Sequence, residues 1–169
     1  METNFADMFE AVVDLVPERT AAVVVGRDRR TYAELEDRVN RIAHHLEAAG
    51  VRPGEHVGIY AYNGMEWVET MLGLYKIRAV PVNINYRYVE AELQYLCTNA
   101  DLVAIVALRE FAPRLAAIRG SLPKLRHVVI ADDGSGGRGA IRAAHRDACQ
   151  SGREDRGRHS QLSQPRTRS

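Results

Sequence analysis

The residue types with chemistry to offer are a glycine cluster, three neighbouring histidines and a cysteine. Gly134-Ser-Gly136-Gly-Arg-Gly139 is formally G-x-G-x-x-G, a turn in which backbone N–H groups can approach a pyrophosphate at a helix N-terminus. The dinucleotide fingerprint also needs a following βα unit whose next strand ends in an acidic residue. No strand pattern follows, and Asp155 sits in an Arg/Gly/Ser stretch, so the cluster reads as a flexible linker. His44 and His45 are adjacent on a helical segment, with His56 nearby. Adjacent helical residues point to different faces, whereas two ligands on one helix need i, i+3 or i, i+4 spacing, so a solvated helix face is the reading. Cys97 has no base beside it in the sequence and reads as a core thiol. No G-x-S-x-G, C-x-x-C, H-E-x-x-H or G-x-x-x-x-G-K-[ST] occurs, and no catalytic residue or metal ligand is assigned.

The elements that would position such residues alternate along most of the chain. Phe5, Met8, Phe9, Val12, Val13 and Val16 mark an amphipathic helix closed by Pro17. Ala21–Gly26 is a β-rich run that turns at Arg27-Asp28-Arg29 into a short returning strand. Thr31 and Glu34 form a T-x-x-E capping box, followed by Leu35, Val39, Ile42, Ala43 and Leu46 at helical spacing, with Gly50 as the left-handed stop. Pro53-Gly54 turns into a strand over 57–61, and Asn63 is placed to cap a helix carrying Trp67, Val68, Met71, Leu72, Leu74 and Tyr75. A strand follows over 79–84, where Pro81 demands an edge or a bulge. A helix over 90–99, a buried strand over 102–108, a helix with Phe111, Leu115 and Ile118, and a strand over 127–131 complete the pattern. Three successive strand–helix–strand units predict an α/β fold: a mostly parallel sheet covered by helices, with right-handed crossovers.

Composition divides the chain. Its 169 residues carry a net charge of +1, but residues 1–137 hold −4 and residues 138–169 hold +5. The later stretch has eight arginines, no Phe, Tyr or Trp, and after Ile141 only Leu162 as a large aliphatic. Such a segment buries too little apolar area to offset its chain entropy, so a disordered basic tail is expected over 134–169, with a short helix allowed over 140–149. With no aromatic to stack a base, the tail predicts no specific nucleic-acid partner. The chain has 21 Arg and two Lys, as GC-rich coding sequence gives, and a shifted reading frame through such DNA would yield the Arg, Ser, Gln, Gly and Pro of the tail. Residues after about Gly137 are accordingly read as out of frame. The longest apolar run, Leu102–Leu108, is too short to cross a bilayer, and the start lacks a signal peptide's apolar core. With Cys97 and Cys149 read as reduced thiols, a cytoplasmic location is expected.

Five stretches carry a family resemblance. They are Thr31-Tyr-Ala-Glu-Leu-Glu-Asp-Arg-Val-Asn-Arg-Ile-Ala-His-His-Leu, Gly50-Val-Arg-Pro-Gly-Glu-His-Val-Gly-Ile, Asn63-Gly-Met-Glu-Trp, Lys76-Ile-Arg-Ala-Val-Pro-Val-Asn and Asn85-Tyr-Arg-Tyr-Val-Glu-Ala-Glu-Leu. In this order and spacing, residues 4–133 resemble the start of the large domain of AMP-forming acyl-CoA synthetases, within the adenylate-forming superfamily. The stretch over 82–88 looks most like synthetases for fatty acids or sterol side-chain acids.

The resemblance implies a division into 1–133, the N-terminal portion of the large domain, and 134–169, linker and tail. It implies a family reaction in which a carboxylic acid and ATP give an acyl-adenylate, which coenzyme A converts to acyl-CoA. ATP, Mg2+ and coenzyme A are the family's cofactors. Its phosphate loop, its Tyr-Gly-x-Thr-Glu segment, its ribose-binding Asp and its catalytic Lys all fall downstream of the matched stretch. Gly134–Gly139 lacks the threonines of that loop, and Lys76 and Lys124 match no catalytic position. The expectation is a truncated fatty-acid–CoA ligase fragment without ligase activity, needing no cofactor of its own. The alternative is a non-catalytic interaction module, pairing with a full-length synthetase or binding polyanions through the tail. Only Tyr86 and Arg87, just after a strand beside Asn85, are candidates for cofactor contact, and for Arg87 a surface ion pair is the stronger expectation. A sheet lacking neighbours would expose an edge through which the chain could self-associate.

Overall fold

A computed structural model describes residues 4–131, together with the backbone of 142–143. The Gly134–Gly139 cluster, Cys149 and the rest of the basic tail lie outside the described residues.

The first helix, α1 (Phe5–Leu15), starts from an Asn4 capping box closed by Asp7. Strands β1 (Thr20–Val24) and β2 (Asp28–Thr31) form an antiparallel hairpin whose turn passes through Gly26. Helix α2 (Tyr32–Ala48) begins at the expected capping box, with Glu34 N–H donating to Thr31 Oγ1 and Thr31 N–H to Glu34 Oε2. Then come β3 (His56–Tyr60), α3 (Met65–Lys76), β4 (Val80–Asn83), α4 (Glu90–Asn99), β5 (Ala104–Leu108), α5 (Ala112–Ile118) and β6 (His127–Ala131), with 3-10 turns flanking α5. A two-residue strand, β7 (Arg142–Ala143), pairs antiparallel with β6, where the sequence allowed a helix.

The sheet order is β4-β3-β5-β6-β7, and β3 to β6 run parallel. The chain steps outward from β3 to β4, crosses back past β3 to β5, and continues outward to β6. Right-handed crossovers therefore place α3 on one face and α4 and α5 on the other. α3 packs on α2, and α4 on α5. Strand β5 is buried along its whole length, as a central strand covered on both faces must be. Gly58 is required where the layers are tightest: a Cβ there would lie 2.7 Å from Ile84 Cδ1 and 3.0 Å from Leu102 Cδ1.

Three helices end alike at the amino ends of the strands that follow them. After α2, α3 and α4 the chain turns through a left-handed residue, Gly50, Arg78 and Asp101, with φ of 84°, 56° and 51°. In each case the next N–H, from Val51, Ala79 or Leu102, reaches back to a carbonyl in the helix's last turn.

Pro81 lies in β4 at the sheet edge, as expected. Val80 N–H donates to Glu55 O and Ile84 N–H to Ile59 O, so alternate residues face β3 and Pro81 turns its nitrogen outward, where no ladder bond is lost. Two sequence expectations fail locally. Asn63 does not cap α3: Gly64 is the cap residue, with no side-chain cap bond, and Glu66 folds over that end, its Oε2 3.0 Å from where a Gly64 Cβ would stand. The apolar face of α1 is only partly covered: Ala6 is buried and Phe9 packs inward, while Phe5, Met8, Val12 and Leu15 are exposed.

Candidate functional site at the carboxyl ends of the strands

β3 and β5 are neighbours although the chain visits β4 between them, so the direction of winding reverses there. In open α/β sheets ligands bind in the crevice outside the strands' carboxyl ends at this reversal. Three segments meet there: Tyr60–Tyr62 at the end of β3, Asn85–Tyr88 after β4, and Arg109–Arg114 after β5.

An aromatic stack forms the floor. The Tyr60 and Phe111 rings lie 4.3 Å apart, nearly parallel. Tyr62 meets Phe111 edge-on at 5.3 Å and Tyr86 at 4.9 Å. Tyr60 and Phe111 are buried, whereas Tyr62 and Tyr86 are about two-fifths exposed, so the stack opens to solvent on one side.

Arg114 ties the three segments together. Its Nη1 donates to Tyr60 Oη at 3.0 Å and to the carbonyls of Tyr86 and Tyr88 at 3.3 Å, and its guanidinium lies 5.9 Å from the Phe111 ring. Tyr60 Oη in turn donates to Tyr88 O at 2.7 Å. The Tyr60 hydroxyl beside it holds Arg114 protonated more firmly than usual. Tyr62 Oη donates to Glu110 Oε2 at 3.1 Å, and that hydrogen bond, then burial and the Glu110 charge, push the phenol's pKa upward.

Tyr86 and Arg87 both sit on the rim of this crevice. The Arg87 guanidinium lies over the Tyr86 ring at 5.6 Å, and no ion pair engages it among the described residues. Asn85 shapes the turn by accepting the Arg87 N–H at 3.0 Å. The sequence did not single out Tyr60, Tyr62, Glu110 or Arg114 for this site. They sit at or within a few residues of the carboxyl ends of β3 and β5, and that placement has meaning only once these strands are known to be neighbours.

The other residues singled out stand apart from the crevice. His44 is exposed on α2, while His56 bonds through Nδ1 to Ala100 O at 2.7 Å, at the opposite end of the sheet. Cys97 is a buried core thiol whose pKa burial raises to about 11. Lys76 is more than a helix-end cation: its side chain is largely covered, and Nζ pairs with Glu10 and, at 2.7 Å, with Glu36, joining α1, α2 and α3. Among the described residues no group of three or more His, Cys, Asp or Glu side chains is placed to hold a metal ion. Nor does the α3 N-terminus offer a phosphate cradle, because the Glu66 carboxylate covers it and pairs with Arg27 at 3.2 Å. The described residues thus present neither a three-ligand metal cluster nor, at α3, an open helix N-terminus for a triphosphate. The rim of aromatic faces and guanidinium groups can stack a planar group and meet an anion.

This parallel sheet with helices on both faces and a crevice at its winding reversal defines a doubly wound α/β domain. The family model "AMP-binding enzyme" matches residues 9–164, and the chain belongs to that family. It is 48% identical over 135 residues to a 3-oxocholest-4-en-26-oate–CoA ligase of Rhodococcus rhodochrous, covering 80% of this chain and 24% of that protein. A medium/long-chain-fatty-acid–CoA/3-oxocholest-4-en-26-oate–CoA ligase of Mycobacterium tuberculosis is 46% identical over 132 residues, 78% of this chain and 24% of that one. The chain thus spans about a quarter of the length of these relatives. Among solved structures, the anthranilate CoA ligase AuaEII in complex with anthranoyl-AMP superposes with a TM-score of 0.71 at 30% identity, covering 76% of this chain and 25% of that one. The N-terminal domain of FACL13 from Mycobacterium tuberculosis gives 0.72 at 26%, covering 76% and 34%. No helix among the described residues is long and apolar enough to cross a membrane.

Proposed function

We propose that residues 4–131 are the N-terminal portion of the large domain of a CoA ligase for fatty or sterol side-chain acids, and that this chain alone performs no ligation. The reading rests on one observation: at 48% identity to a sterol-acid ligase, the described residues form a folded scaffold with an aromatic and arginine rim but no cradle for a triphosphate. In the longer protein, ATP, Mg2+ and coenzyme A would be gripped by groups downstream, and the Tyr86, Arg87 and Arg114 rim would form one wall of their cavity. The division at 133 and a cytoplasmic location belong to the same proposal.

Two measurements test it. ATP–pyrophosphate exchange by the purified chain with a panel of fatty and sterol side-chain acids should stay at background, and acid-dependent exchange would refute the assigned lack of activity. Replacing the matching segment of the Rhodococcus rhodochrous ligase by residues 4–131 should give a chimera that retains exchange with 3-oxocholest-4-en-26-oate. A folded chimera without exchange would refute the scaffold assignment.

A further inference from the structure

We propose that Arg114 is a positioning residue: it acts through the Asn85–Tyr88 turn and sets where the Tyr86 ring and the Arg87 guanidinium meet a nucleotide. The ligand class is the phosphorylated adenosine that ATP and coenzyme A share, and the inference rests on the reading of the rim as a wall of the cofactor cavity. β4 is a border strand of the sheet, so the turn that follows it has strand neighbours on one side only. Inside the turn, Asn85 accepts the Arg87 N–H through Oδ1 and the Tyr88 N–H through its carbonyl, both at 3.0 Å. These bonds shape the turn but fasten it to nothing else. Among the described residues its backbone is fastened by Tyr60 and Arg114. Tyr60 Oη donates to Tyr88 O, and Arg114 Nη1 donates to Tyr86 O and Tyr88 O. With those two carbonyls drawn inward, Arg87 between them stays exposed and lies over the Tyr86 ring.

The clamp reaches from a rigid element to a pliable one. Arg114 rides on α5, which Leu115 and Ile118 bury against the core, and its guanidinium rests 5.9 Å from the buried Phe111 ring. Tyr60 has one hydroxyl proton, committed to Tyr88 O, so its lone pairs take the Arg114 N–H. A donor chain from Arg114 to Tyr60 to Tyr88 results, in which each bond polarises the next. Three protein oxygens thus converge on Nη1, and the effect of this residue on a ligand passes through the turn. Methionine at 114 would keep an apolar stem but leave Tyr86 O without its donor and Tyr88 O with Tyr60 alone. Lysine keeps the charge and offers three protons, on a side chain one atom shorter, so it replaces only part of the clamp.

Hydrogen exchange on the full 169-residue chain reads the clamp directly. Arg114→Met should speed exchange of the Arg87 and Tyr88 amides about fivefold or more, with β5 amides unchanged and Arg114→Lys in between. Kinetics of the Rhodococcus rhodochrous ligase carrying residues 4–131 read the consequence, with ATP varied in one series and coenzyme A in the other. Arg87→Met and Arg114→Met should raise KM for the same nucleotide about three- to tenfold, with kcat falling far less, and Arg114→Lys should recover part of the loss. The double variant should be no worse than the more damaged single, because both changes disable one group. Unchanged exchange at Arg87 and Tyr88 would overturn the inference while leaving the rim reading intact. So would effects that multiply in the double variant, which would assign Arg114 a ligand contact of its own. An equal loss of kcat with every substrate, together with a lower melting temperature, would overturn it too, by assigning Arg114 to stability alone. Faster exchange with neither KM moved by Arg87→Met or Arg114→Met would instead refute the rim as a cavity wall, and this inference with it.

Discussion

Gly58→Ala tests whether the sheet and the α4 layer are packed as tightly as the distances indicate. The new methyl would lie 2.7 Å from Ile84 Cδ1, 3.0 Å from Leu102 Cδ1 and 3.2 Å from Ile105 Cγ1. All three neighbours are at most 1% exposed, so none can swing into solvent. Overpacking of this kind costs about 1–3 kcal/mol, and the reduced entropy of the unfolded chain returns about 0.4–1 kcal/mol. The net expectation is a loss of about 0.5–2 kcal/mol, read from urea unfolding followed by the fluorescence of Trp67, the single tryptophan. The closest atom is the terminal methyl of Ile84, which valine lacks. Ile84→Val alone should cost about 0.5–1.5 kcal/mol by leaving a small void. In Gly58→Ala/Ile84→Val the added methyl fills that void, so the double variant should be about 1 kcal/mol more stable than the sum of the single changes predicts. Strict additivity, with an unchanged dependence on urea, would refute the packing argument.

Other perturbations probe separate parts of the structure. The Glu69 carboxylate is 1% exposed and pairs with Arg38 Nε across the α2–α3 interface, so Arg38→Ala should cost about 2–3 kcal/mol by stranding a buried charge. A loss below about 0.5 kcal/mol in urea unfolding would show that Glu69 is satisfied without it. Asp101 is left-handed with φ 51°, and its pair with Lys124 is well exposed; Asp101→Gly should therefore raise stability by about 0.5–1 kcal/mol, and a fall in melting temperature would contradict the strain argument. Burial raises the Cys97 thiol from 9.0 to about 11, so the unfolded chain ionises first. The resulting stabilisation is complete below pH 9 and is lost as pH climbs towards about 11. Cys97→Ala should lack that decline relative to the wild type, and parallel pH profiles for the two would refute it.

Much of the fold is legible in the sequence because its signals are local. Thr31 and Glu34 announce α2 through a reciprocal pair of bonds that depends on nothing distant, and Gly50 stops it for reasons of backbone geometry alone. The all-buried β5 is visible as an unbroken apolar run. Expectations fail where distant chain decides. Asn63 has the right chemistry for a cap, but Gly64 holds the position because Glu66 turns back over the helix end towards Arg27 on the hairpin. The face of α1 is marked by its periodicity, yet the pattern does not say how much of that face the rest of the chain covers. The crevice is the largest omission. Tyr86 and Arg87 were recognisable as residues following a strand, whereas Arg114 becomes a site residue only through the side-by-side placement of β3 and β5, a property of strand order.

Pro81 also makes the sheet asymmetric in its capacity to grow. A foreign strand laid along β4 would find the outward amide of Asn83 but none at Pro81, so the hydrogen-bonded addition that seeds fibrils is starved at this border. Enlargement of the sheet, whether by folding or by misfolding, is directed to the other border, where β6 is covered only by the two-residue β7, and replacing one imino acid by an ordinary residue would open a second front.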